Sequence, residues 1–369
     1  MRQTERTRTH QAFRWAAWIV AAALVTGAVA PAGVAAPAPV RIRVGMVGAI
    51  DQLGIPVAQD RGFFEKWGLD VTIAPPFPTG VDLLNALQAG EIQMGQVGVP
   101  MIGAVLRGMD LVILGNYSGS SVRLGGDNTM ALVARQGSNI RRIQDLRGKR
   151  VAVSFGTISH LYILGILEKA GLTVNDVTLV NTPPGEMPVA LRGAAVDAFA
   201  TWDPFPVIAL QEVPNAYEVV RGGGFIGFMG FIVALRGWAE RNQDTAERFL
   251  AARAEADKFM RANDVKTAEI AVRWLPGLQR TPEVALRGVR NNLPTLDIRI
   301  SYFNYLSLHN AVVTLNRLGF LPGTFDVNKV FMPGPINEVM RKHPDLFADL
   351  PPIPRTAQVG PGYTFTPPR

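Results

Sequence analysis

The sequence predicts an α/β protein of two lobes with a ligand cleft between them, and three observations carry that prediction. From residue 41 onward, short apolar runs alternate with helical patterns, the order that builds a parallel-rich sheet with helices on both faces. The segment ALQAGEIQMGQVGVP, ending at Pro100, is partly repeated as ALRGAAVDAFATWDP, ending at Pro204. Ala86, Leu87, Ile92 and Pro100 meet Ala190, Leu191, Val196 and Pro204, and polar Gln93 meets Asp197. Both copies read as helix end, tight turn, strand and proline. A chain built as two similar halves produces such a repeat, and two halves that face each other leave a crevice. Finally, 369 residues accommodate two domains and a core that needs no covalent staples.

There is no cysteine, which excludes disulfides, thiolate nucleophiles, iron–sulfur clusters, Cys-ligated zinc and a lipidated cysteine. Arg2, Arg6, Arg8 and Arg14 oppose only Glu5 before a weakly polar to apolar run over 15–30, the pattern of a secretory signal. We therefore expect a leader over 1–36, with cleavage among the small residues of 30–38 and a mature protein in the periplasm. The rival, a retained anchor, needs about 20 apolar residues, and this run is short and Ala-rich. The formal charge of +7 falls to +4 without the leader, spread too thinly for a nucleic-acid surface.

In the first lobe, residues 41–47 alternate as a strand, 48–52 form a loop, and 56–66 a helix that closes at Gly68. Residues 69–74 are the next strand. A proline-rich turn over 75–80 then opens a helix over 81–89 that buries Leu83, Leu84 and Leu87. Another strand ends over 96–99, and Pro100 begins a helix that Gly108 stops. Ligands of such sheets sit beyond the carboxyl ends of strands, where loops and helix N-termini converge. Asp51, Gln52, Thr79, Gly80, Gln96 and Gly98 are therefore binding candidates. Helix capping competes for Asp51 and Thr79, and turn geometry for the glycines. After an apolar strand at 111–114, residues 116–121 read as a polar loop, and its Tyr117 joins the candidates.

Residues 129–135 cross as a strand into the second lobe. There 150–154 is a strand, the turn at Phe155, Gly156 and Thr157 breaks it, and a helix runs from Ser159 to the stop at Gly171. The first amides of that helix lack internal partners and sit at its positive end, so Ser154, Gly156, Thr157, Ser159 and His160 are candidates to hold an anion. Capping by Thr157 or Ser159 is the bland alternative. Trp202 could wall a pocket and Asp203 accept from a ligand donor, or Asp203 could cap the helix that Pro204 opens. Glu186 is a similar acidic candidate beside a helix start. The glycines 222–224 allow movement on the way back through 225–235, where Phe228 could stack an aromatic solute. Gly222, Gly224 and Gly227 match a dinucleotide fingerprint, but no helix follows them, so that reading is rejected.

Helices are expected over 244–262, 264–275, 281–289 and 307–318, and the Pro- and Gly-rich tail over 351–369 as extended or loosely ordered. The histidines 160, 309 and 343 stand apart with no carboxylate at ligand spacing, and no nucleophile elbow or P-loop is present. No metal, cofactor or catalytic residue is therefore expected.

The run DLRGKRVAVSFGTISHLYILGILEKAGL, the pattern AL-x-G-x-x-VDAF-x-x-WDP, and upstream GFFEKWGLDV with ALQAGEIQMGQVGVP resemble the periplasmic solute-binding proteins of the nitrate, sulfonate and taurine type. The superfamily also includes binders of thiamine-precursor pyrimidines. The resemblance covers roughly residues 41–340; Gln93 departs from it, standing where the family commonly has Asp. It implies the type II periplasmic binding fold, each lobe a mixed sheet flanked by helices. Lobe I would comprise 37–128 and 236–345, lobe II 129–235 with hinge crossings near 129–135 and 225–235, and 346–369 the tail. The expected function is capture of a small organic anion, sulfonate- or carboxylate-like, resting on Thr157 to His160, by a monomer. The partners are an ABC transporter permease and its ATPase, with no nucleic acid. A pyrimidine or aromatic solute on Trp202 or Phe228 is the alternative. From other classes, an enzyme or a sensor domain could use the same cleft.

Overall fold

The computed structural model describes residues 38–275 and 281–368, leaving aside the side chains of residues 228 and 229. The expected leader lies outside the described residues. The chain begins with β1 (Val40–Gly45), α1 (Gly54–Asp60), α2 (Phe63–Lys66), β2 (Leu69–Ile73), α3 (Gly80–Gln88), β3 (Met94–Val97), α4 (Pro100–Leu106) and β4 (Leu111–Gly119). It continues with β5 (Met130–Ala134), β6 (Arg150–Val153), α5 (Ile158–Ala170), β7 (Thr178–Asn181), α6 (Met187–Arg192), β8 (Ala198–Trp202), α7 (Phe205–Glu212) and β9 (Tyr217–Arg221). After β10 (Phe228–Leu235) come α8 (Arg236–Arg241), α9 (Gln243–Ala262), α10 (Asp264–Trp274), α11 (Pro282–Asn292), α12 (Tyr302–Arg317) and α13 (Gly334–Lys342).

Two mixed sheets result, ordered β2-β1-β3-β10-β4 and β7-β6-β8-β5-β9. In each, the first three strands are parallel and the fourth is antiparallel to both neighbours. The repeat legible in the sequence has a topological meaning: β3 and β8, which carry the two copies, hold the same third place in their sheets. Local chemistry explains the helix boundaries that matter here. Thr79 and Asp82 form a capping box at α3, Thr157 caps α5, and Gly171 ends α5 with a left-handed φ of 70°.

Three expectations change and a fourth is narrowed. The helix expected over 56–66 is split into α1 and α2, because Gly62 adopts φ 70° between them. The polar stretch 116–121 is not a loop at its start: β4 runs to Gly119 and is buried throughout. Two of its side chains find partners elsewhere in the chain, Asn116 Nδ2 donating to Asp297 O at 3.0 Å and Ser118 Oγ to Asn292 Oδ1 at 3.3 Å. The sequence places hinge crossings near 129–135 and 225–235 at the ends of lobe II, but β5 lies within the second sheet and β10 pairs with β3 and β4 in the first, so the segments joining the sheets are 120–129 and 222–227. Asp127 straps them together, accepting from the amides of Gly224, Phe225 and Ile226 at 3.1, 2.8 and 3.4 Å. The tail is extended but anchored, with Phe365 buried, its amide donating to Asn328 Oδ1 at 2.7 Å, and Tyr363 packed edge-on against Tyr305.

Candidate functional site

The loops at the strand ends of the two sheets enclose about 570 Å³ of space, part of it open to solvent. From the first sheet Asp51, Gln52, Thr79, Gly80, Gly98 and Tyr117 line it, and from the second Ser154, Thr157 and Trp202. All of these are residues singled out from the sequence. The sequence reading missed Pro78 and Pro184, which wall the cavity from the two sides. A signal for them existed: both belong to proline-rich turns that follow equivalent strands, β2 and β7.

On the first side, a chain of amide hydrogen bonds fixes the loop after β1. Gln96 is fully buried behind the cavity rather than at its surface, and its Nε2 donates to Gln52 O at 3.1 Å. Gln52 Oε1 accepts from Val47 N at 2.7 Å, and its Nε2 donates to Tyr117 Oη at 3.3 Å. Gln96 is thus a support and Gln52 a lining residue. Asp51 is 3 % exposed, and its Oδ1 has no hydrogen-bond partner. Burial pushes its carboxyl up to about 7; a hydrogen bond from its own amide opposes the shift and the Asp203 charge adds to it. Burial, then the Asp51 charge, pushes the Tyr117 phenol up in turn. Thr79 both lines the cavity and caps α3, its hydroxyl donating to Asp82 Oδ2 at 2.8 Å and accepting from Asp82 N at 3.3 Å. At Gly80 a Cβ would stand 3.0 Å from both Val97 Cγ2 and Pro100 Cγ, so the close approach of α3 to α4 asks for glycine.

On the second side several expectations are corrected. Thr157 reaches the cavity, but its hydroxyl accepts from Ser159 N at 3.2 Å and donates to Ser154 O at 2.7 Å, which is capping. Ser159 does not reach it: fully buried, its Oγ accepts from Ser154 N at 3.2 Å and donates to Ala200 O at 2.5 Å, tying α5 to β8. His160 is also withdrawn. Its Nδ1 accepts from Gly156 N at 3.4 Å, and its ring stacks on Phe155 at 4.8 Å and meets Phe320 edge-on at 4.3 Å. Burial pushes His160 down to about 4, so it is neutral at physiological pH. Gly156 is exposed away from the cavity with φ 72°.

Glu186 is exposed, makes no capping hydrogen bond, and leaves its neighbour Pro184 to face the cavity. Asp203 is fully buried and committed to protein partners, with Arg221 Nη1 at 2.8 Å, Arg221 Nη2 at 3.3 Å and Asn291 Nδ2 at 2.8 Å. Burial raises it to about 6 against the pull of Arg221. The backbone of Phe228 pairs with Gly119, and its side chain is outside the described residues. Among the described residues no cluster of His, Asp or Glu fits a metal ion, and no helix is long and apolar enough to cross a membrane.

A family model described as NMT1/THI5 like matches residues 49–266, more than half of the chain. The chain belongs to the NMT1/THI5-like family. An Escherichia coli (strain K12) relative, provisionally named as an aliphatic sulfonates-binding protein, is 31% identical over 213 residues, 57% of this chain and 64% of that protein. The match therefore spans less than two thirds of the relative's length. The crystal structure of the periplasmic aliphatic sulphonate binding protein SsuA from Escherichia coli is similar at TM-score 0.70 and 25% identity, covering 80% of this chain and 93% of that one. The two mixed sheets flanked by helices are the type II periplasmic binding protein fold. A desulfurization enzyme, DSZB, crystallised with biphenyl-2-sulfinic acid, shares the fold at TM-score 0.63 and 18% identity, over 82% of this chain and 99% of its own.

Proposed function

We propose that this protein is the extracytoplasmic solute-binding component of an ABC importer and that it captures a small organic anion, sulfonate- or carboxylate-like, in the cavity between its sheets. The observation that carries the reading is that strand-end loops of both sheets line one cavity, so hinge closure would enclose a solute from two sides. Membership of the family and likeness to sulfonate-binding proteins support the ligand class. We infer binding without turnover: the similar proteins are named as binding proteins, and the threonine hydroxyls of the lining are engaged in caps. In this reading the leader delivers a monomer to the periplasm, where its partner is the permease with its ATPase.

One observation favours a second reading, an aromatic or pyrimidine solute. The cavity shares Val47, Pro78, Pro184 and Trp202 with a larger, more open space of about 1000 Å³ that adds Phe77, Phe205 and Trp274. A thermal-shift series separates the two. Alkanesulfonates or carboxylates at about 100 times Kd should add about 2.7 kcal/mol and raise Tm, and mass spectrometry should recover them unchanged. A rise with pyrimidines alone selects the second reading. No rise with either ends both, and a changed solute ends the non-enzymatic one.

A further inference from the structure

Among the described residues, two residues of the cavity lining carry a buried side-chain atom with no hydrogen-bond partner, and they come from opposite sheets. Asp51 Oδ1, from the loop after β1, is an acceptor; Trp202 Nε1, from the end of β8, is a donor. Gln96 Oε1 is also unpartnered but lies behind the lining. We propose that the solute spans the cavity with a fixed polarity, placing a hydrogen-bond donor of its own, an amino or hydroxyl group, on Asp51 and an acceptor oxygen of its anionic end on Trp202 Nε1–H. This rests on the reading of the cavity as the solute site.

The argument is one of complementarity. A buried polar group without a partner costs about 1–3 kcal/mol, more when it is charged, and a ligand that completes it recovers that cost on binding. Among the described residues, Asp51 is the one acid on the lining, and no Lys or Arg accompanies it. Arg221, at the end of β9, is spent on Asp203 and Glu218. Asp203, the other acid that acts on Asp51, adds negative potential, and Tyr117 contributes a phenol. A bare oxyanion such as nitrate would take the donor at Trp202 but bring no hydrogen of its own to Asp51 Oδ1. An organic anion carrying an N–H or O–H at its far end satisfies both walls, and Asp51 becomes the residue that sets specificity.

Isothermal titration with three sulfonates of similar size tests this: 1-propanesulfonate, 2-hydroxyethanesulfonate and 2-aminoethanesulfonate. The protein should bind one or both donor-bearing compounds about tenfold or more tighter than propanesulfonate. Asp51→Ala should erase the ratio, bringing the three affinities together. Trp202→Phe should weaken all three without changing the ratio. Equal binding of the three by the unsubstituted protein, or a preference for propanesulfonate, overturns the role of Asp51 while leaving the solute-binding reading standing. Undiminished binding by Trp202→Phe overturns the polarity. If neither these sulfonates nor butanoate, 3-hydroxypropanoate and β-alanine bind, the anion-binding reading fails and the inference with it. The preference of the unsubstituted protein decides the matter even if a variant does not fold.

Discussion

Asp51 makes stability depend on pH. Its carboxyl rises from an ordinary 3.8 to about 7 in the folded protein, so between those values the native state holds a proton that the unfolded chain has released. Stability is therefore greatest below about pH 4 in this contribution and declines as pH rises through 7. Asp203, raised to about 6, acts in the same direction over the lower part of that window. Asp51→Asn removes the larger contribution. Urea unfolding at pH 8 should show the variant more stable than the parent by on the order of 2 kcal/mol, with the gain gone at pH 4; an equal difference at both pH values would mean that ionisation is not the cause. A second residue-scale prediction concerns Gly54. A Cβ there would lie 1.0 Å from Arg253 Nη1, and Arg253 is fully buried beside Asp257 at 3.2 Å. Gly54→Ala must displace a buried ion pair, so the urea midpoint should fall by the equivalent of about 3 kcal/mol with an unchanged slope. Neither effect is legible in the sequence, because nothing near Gly54 announces an arginine in α9, and nothing near Asp51 announces how deeply it is buried.

At the scale of elements, the helix starts were legible and their roles less so. Capping is local chemistry, so Thr79 and Thr157 are recognisable from their own neighbours, and both do cap. The repeat was legible for a related reason: two strands in equivalent places, β3 and β8, each run into a proline at a helix start, Pro100 and Pro204. By contrast, the fates of Ser159, His160 and Asp203 depend on Ala200, Phe320 and Asn291, which pack against them from other elements. A helix N-terminus alone could not reveal those partners. The distinction has a measurable consequence at α5. Ser159→Ala orphans the Ala200 carbonyl and the Ser154 amide in a buried place, so it should cost about 1–3 kcal/mol of stability while leaving solute affinity within about twofold. Thr157→Ala loses a cap, about 1 kcal/mol. Loss of affinity with unchanged stability in Ser159→Ala would restore that serine to the binding site.

For the whole molecule, the two sheets are joined by more than the crossings. Helix α11, which packs on α10 and on the 50–52 turn, reaches the second sheet: Asn291 Nδ2 donates to Asp203 Oδ2 at 2.8 Å and Arg287 Nη2 to Glu218 Oε1 at 3.1 Å. Arg221 gathers both acids, and Ile50 N donates to Asp203 O at 3.5 Å. These contacts favour the arrangement in which the cavity is lined from both sides, whereas the Asp127 strap lies within the crossings themselves. Removing the side chains of α11 should therefore act on the equilibrium between arrangements and not on the cavity lining, since neither residue lines it. A double variant, Arg287→Ala with Asn291→Ala, is expected to enlarge the radius of gyration of the solute-free protein in small-angle scattering. With solute bound, the radius should match that of the parent. Because the competent arrangement is then less populated before binding, affinity should fall by that same fraction, about five- to tenfold. An unchanged solute-free radius together with unchanged affinity would show that α11 rests on the second sheet without governing closure, and the burden would pass to the crossings at 120–129 and 222–227.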